Sequence, residues 1–214
     1  MAKKKGKGCL IIVGVIIVLA VITSMFGNKK QDEQAKKNIA QTQEESSTRK
    51  TTTQKKEENP DVVKSGHYQV GKDVKAGEYK VFSDGGYGYI ECAKDSSGGA
   101  DSIVANENFS TFTYITVSDG QYFKLTGCYA LPVEKAKKFS GSDIKDGMYK
   151  VGVDIPAGEY DVKANSSTAY VEVSSNSSHN LDSIVTNYNF ETNNLVTVSD
   201  GQYLKIVGGT ATKK

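Results

Sequence analysis

Hydrophobic positions along the chain fall into two regimes separated by a polar gap. From Cys9 to Phe26 the 18 residues CLIIVGVIIVLAVITSMF carry no charge. This run predicts a helix about 27 Å long, enough to cross the hydrocarbon core of a bilayer. From about residue 66 onward, apolar and polar residues alternate in short stretches such as Tyr68/Val70 and Tyr79/Val81, broken by Gly, Asp and Asn. That period predicts β-strands. Between the two regimes, Asn28 to Ser65 contains no aromatic residue and is dominated by Lys, Gln, Glu, Ser and Thr. Such a composition cannot bury enough surface to offset the entropy of ordering, so residues 27–65 read as a flexible linker. A linker of this length spans about 35 Å on average and about 130 Å when stretched.

The β region is a duplication. Gly71 corresponds to Gly152, Asp101-Ser102-Ile103-Val104 to Asp182-Ser183-Ile184-Val185, and Val117-Ser118-Asp119-Gly120-Gln121-Tyr122 to Val198-Ser199-Asp200-Gly201-Gln202-Tyr203. The offset is 81 throughout, and roughly half the aligned positions are identical. The organisation follows as a basic tail over 1–8, a transmembrane helix over 9–26, the linker over 27–65, module 1 over 66–133, a connector over 134–146 and module 2 over 147–212. The fold class is all-β: two small antiparallel sandwiches or barrels of about six strands each.

Turn chemistry adds detail. A three-residue loop at Ser118-Asp119-Gly120 places Ile115, Val117, Phe123 and Leu125 on one side, with Thr116, Tyr122 and Lys124 on the other. The second copy sorts in the same way, with Val196, Val198, Leu204 and Ile206 opposite Thr197, Tyr203 and Lys205. A hairpin with a type I turn is predicted, with Gly120 and Gly201 left-handed.

Charge changes the picture along the chain. Residues 1–27 hold four lysines and no acid, whereas module 1 holds five lysines against eight Asp and Glu, and module 2 five against seven. Mildly acidic modules exclude nucleic acid, which requires a clustered basic face. The basic N-terminus predicts a cytoplasmic tail with the modules outside the cell membrane. A cleaved signal peptide is disfavoured, because its apolar region is usually shorter and no small-x-small site lies at the exit.

Candidate chemistry is sparse. Cys92 and Cys128 are replaced together in the second copy, by Val173 and Gly209. A Cys92–Cys128 disulfide is therefore expected on the oxidising side, stabilising by roughly 3–4 kcal/mol. His67 and His179 occupy non-equivalent positions away from other ligands, so no metal site is expected. Asp73/Asp154 and Glu78/Glu159 recur in both copies and invite an acid–base reading. Turn capping by Asp73 and an edge-strand start at Glu78 are the simpler reading, and no catalytic residue or cofactor is assigned. The Asp95-to-Ser102 loop lacks the ligand order of an EF-hand. Tyr87 and Tyr114 have no aromatic counterparts in the second copy, where Thr168 and Leu195 stand. They are the candidate ligand surface.

The GxYxVGxDIPAGEYxV opening, DSIV centre and VSDGQYxK ending resemble small secreted or membrane-anchored surface proteins of low-GC Gram-positive bacteria. The resemblance implies location and not mechanism. Module 1 departs from the pattern with Val74-Lys75 where module 2 has Ile155-Pro156. The function expected is a non-enzymatic, membrane-anchored display of two modules that bind an envelope polymer or a surface protein. The alternative is a tethered regulatory or superinfection-exclusion factor of a mobile element.

Overall fold

The computed structural model describes residues 59–214. The basic tail, the helix expected over 9–26 and the linker before residue 59 lie outside the described residues. Seven strands build module 1: β1 Gly66–Gln69, β2 Gly77–Ser83, β3 Gly88–Ala93, β4 Ile103–Phe109, β5 Phe112–Val117, β6 Tyr122–Thr126 and β7 Cys128–Pro132. Module 2 repeats them as β8 Gly147–Lys150, β9 Gly158–Ala164, β10 Ala169–Ser174, β11 Ile184–Phe190, β12 Asn193–Val198, β13 Tyr203–Val207 and β14 Gly209–Lys213. Each module is a sandwich of a four-stranded and a three-stranded sheet. The orders are β1-β6-β3-β4 with β5-β2-β7, and β8-β13-β10-β11 with β12-β9-β14. Even the β-bulge recurs, at Cys92/Ala93 and at Val173/Ser174.

Alternation fills each core from both sheets. Tyr79, Val81, Ile115 and Val117 from one sheet meet Ile90, Cys92, Phe123 and Leu125 from the other. In module 2 the corresponding set is Tyr160, Val162, Val196, Val198, Val171, Val173, Leu204 and Ile206. The repeated tyrosines bracket the turns. Tyr68 and Tyr79 donate to the carbonyls of Lys64 and Lys75, four residues back, and Tyr149 and Tyr160 do the same to Lys145 and Pro156. The rings of Tyr79, Tyr149 and Tyr160 are buried and that of Tyr68 half-buried, while each hydroxyl closes the loop that precedes its strand.

The Ser-Asp-Gly turn departs from expectation. Gly120 and Gly201 have φ of +83° and +85°, in the left-handed region. The strands that flank them do not form a hairpin, however: β5 pairs with β2 and β6 with β1 and β3. The turn is a corner that carries the chain from one sheet to the other. Its apolar residues segregate because they face one core from opposite sides, a pattern that a hairpin face would also produce.

Two further expectations are corrected. Cys92 and Cys128 are buried free thiols. The Cys128 thiol donates to the Tyr89 carbonyl at 3.4 Å. Cys92 lies three residues beyond Tyr89 on β3, and the two thiols are not bonded to each other. Burial pushes the Cys92 thiol up to about 11 and raises that of Cys128. Both side chains fill one core. The sandwich also begins inside the segment read as linker: Val63 bridges to Ala130, and Ser65 Oγ donates to the Cys128 carbonyl at 2.8 Å.

Candidate functional site

The two modules meet through non-equivalent surfaces. Outward residues of β2 and β5 in module 1 face outward residues of β8 and β13 in module 2, across a polar centre. Lys80 Nζ lies 2.9 Å from Asp154 Oδ1, with side chains 3% and 0% exposed. The same carboxylate accepts from the Tyr114 hydroxyl at 2.5 Å, the Phe139 amide at 2.8 Å and the Lys150 amide at 3.1 Å. Burial opposes ionisation of Asp154, but these four donors hold its carboxyl below the usual carboxylate range. The Lys80 ammonium also lies 4.7 Å from the Phe112 ring centre and 5.0 Å from that of Tyr114.

Two more carboxylates flank this centre. Glu78 accepts from Lys150 Nζ at 2.5 Å, from Ser177 Oγ at 2.8 Å and from the Tyr203 hydroxyl. Glu107 pairs with Lys205, accepts from Thr113 Oγ1 at 2.6 Å and lies 3.5 Å from His179 Nδ1. Burial works against the charge of Glu107, yet Lys205 and His179 hold it below its ordinary value. His179 sits at φ +57°, unusual for a residue with a side chain, where module 1 has Gly98 at φ +71°. Its Nε2 is 2.6 Å from the Tyr114 carbonyl. Tyr114, Met148 and Tyr203 form a small apolar cluster within the junction. The connector takes part as well: Phe139 packs edge-on against Tyr149.

Tyr114 is therefore no ligand surface. It is 1% exposed and belongs to the junction. Tyr87 is 69% exposed and rims a separate groove of about 170 Å³ lined also by Phe109, Phe112 and Gly147. The structure does not bring these two tyrosines together. The recurring carboxylates also divide: Asp154 and Glu78 tie the modules together, while Asp73 accepts the Gln69 amide at 2.8 Å and remains exposed.

Moving the module 2 docking face back by 81 residues gives the outward face of β1, β6 and β3. It carries His67, Gln69, Tyr122, Lys124, Tyr89 and Glu91 because strand alternation turns Tyr68, Phe123, Leu125 and Ile90 inward. This face is unopposed among the described residues and forms a groove of about 410 Å³. Asp73 lies at one side, and the loop at Asp95, Ser96 and Gly98 at another. Within that loop the Asp95 carboxylate accepts from the Ser97 amide, and Ser97 Oγ from the Gly99 amide. Lys124 lies 4.0 Å from Glu91 and 5.5 Å from the centre of the Tyr89 ring. The Tyr89 hydroxyl donates to Glu91. Burial, followed by this carboxylate, pushes Tyr89 up to about 12. Cations, carboxylates and aromatic rings thus share one open sheet, an arrangement suited to holding a polar surface.

Sequence reasoning singled out Tyr87 and Tyr114 as places where the copies differ. It missed the face itself, whose residues are largely the ones that the copies share. The available signal was the outward half of each alternating strand, Tyr122/Lys124 and Tyr203/Lys205. Comparison with known proteins finds no family model, curated protein or solved structure that matches this chain.

Proposed function

We propose that this chain is a non-enzymatic, membrane-tethered protein that displays a two-module β unit at the outer side of the cell membrane and binds an envelope component there. The uncharged run at Cys9–Phe26, the basic residues before it and the polar linker support the tether. One observation carries the binding role. The outward face of β1, β6 and β3 forms an open groove of about 410 Å³ with its charged and aromatic side chains unopposed. The equivalent face of module 2 is consumed in holding module 1. Asp154 and Glu78 are occupied as structural ties, which supports a binding role over an acid–base role for the recurring carboxylates.

The test is capture of envelope components by the purified full chain beside a Tyr122→Ala/Lys124→Ala variant. The reading expects an envelope component retained by the wild type and lost by the variant, with unchanged circular dichroism in both. Equal retention by a correctly folded variant would contradict the assignment to this face.

A further inference from the structure

We infer that the free face of module 1 docks a β surface of another protein that presents a lysine to Asp73, with a glutamate two residues before it on the same strand. This deepens the binding role proposed above and rests on it. The template lies within the molecule. Module 2 uses Asp154, Tyr203, Lys205 and Ser177 to receive Lys80, Glu78 and Glu107 of module 1. Module 1 retains the receiving groups at the matching positions: Asp73, Tyr122, Lys124 and Ser96, with Tyr89 and Glu91 beside them as Tyr170 and Glu172 are in module 2. All four lie on the open groove, together with Gly98 at the place of His179. Gln69 replaces Lys150, which exchanges a cationic donor to the incoming glutamate for a neutral one.

A second copy of this chain does not fit. Head-to-tail packing through non-equivalent surfaces is open-ended, so a further copy would have to offer the outward face of β9 and β12. There Glu159 stands for Glu78, but Asp161 stands for Lys80, Asn193 for Phe112 and Leu195 for Tyr114. Docking would bring Asp161 against Asp73 with neither ring nor hydroxyl to compensate, and two like charges oppose the contact. Asp161 is instead satisfied locally, accepting from Asn193 Nδ2 at 2.9 Å and lying 3.8 Å from Lys214 Nζ. The substitutions that stop the array at two modules leave the Asp73 face for a partner that keeps the lysine.

The probe is the full chain itself, in mild detergent, given the missing complement by Asp161→Lys with Asn193→Phe and Leu195→Tyr. Sedimentation velocity is expected to show self-association at least about ten-fold tighter than wild type, and reversal on adding Asp73→Lys. Should the triple variant fail to fold, the single Asp161→Lys variant is read in the same way against Asp161→Lys/Asp73→Lys. A folded variant that stays as monomeric as wild type would overturn the inference, as would association indifferent to Asp73. The assay contains no envelope material, so the broader binding role stands or falls separately in the capture experiment.

Discussion

Module 1 and module 2 share strand order, register, bulge and turns, yet their aligned carboxylates live in different worlds. Asp154 is buried among four donors, whereas Asp73 keeps only its own turn and faces water. Likewise Glu78 is clasped by Lys150, Ser177 and Tyr203, whereas Glu159 is exposed. The difference shows that a duplicated module is asymmetric by position even where its residues are identical. Packing head to tail consumes one face of each copy and leaves the other free. A residue conserved between the copies for its turn is then available for a second role in only one of them.

The strongest way to break the comparison is to truncate the aligned aspartates. Asp154→Ala leaves the Lys80 ammonium buried without a counter-charge and should cost about 3–5 kcal/mol in urea unfolding. Asp73→Ala removes one exposed turn hydrogen bond and should cost about 1 kcal/mol. Equal costs would mean that the junction contributes nothing beyond the turn.

Glycine substitutions sharpen the part that the copies share. A Cβ on Gly127 would lie 2.7 Å from the Tyr87 carbonyl at φ +62°, and one on Gly208 3.0 Å from the Thr168 carbonyl at φ +69°. Gly127→Ala and Gly208→Ala should each destabilise by about 1–3 kcal/mol, alike in both modules. Gly120→Ala, at φ +83° but facing open space, should cost about 1 kcal/mol.

The smallest effect concerns acid. Asp154 and Glu107 have carboxyls held below their ordinary values, so their contribution is complete above about pH 5, where the unfolded groups are ionised. It is lost as pH falls through the lower folded values. Thermal unfolding should therefore show a stability loss below pH 4 that is smaller in Asp154→Asn, where the titrating carboxyl is gone. The same loss in the variant would assign acid sensitivity elsewhere.

Much of this fold was legible from residue spacing, and its failures have a common cause. The offset of 81 revealed the duplication, and alternation at Ile115/Val117 and Phe123/Leu125 identified inward residues. Alternation reports burial without saying which strand lies alongside. A hairpin face and two opposed sheets produce the same pattern, so the pattern alone predicts β5 and β6 as partners. Cys92 and Cys128 illustrate the same limit, since they are replaced together in the second copy yet are free thiols in one core. Tyr114 was recognised as distinctive, but a tyrosine that fills an interface between modules has the same sequence signature as one that meets a ligand. The docking face escaped notice because most of its residues are ones the copies share, and comparison between copies highlights only what differs.

The direct measurement is a pair of double-mutant cycles on equilibrium unfolding, Lys80→Met with Asp154→Asn, and at the aligned positions Asp161→Met with Asp73→Asn. Head-to-tail packing through Lys80 and Asp154 expects a coupling above about 1 kcal/mol in the first cycle and one within about 0.5 kcal/mol of zero in the second. Additivity in the first cycle, or equal coupling in both, would show that the modules are not held together in this way.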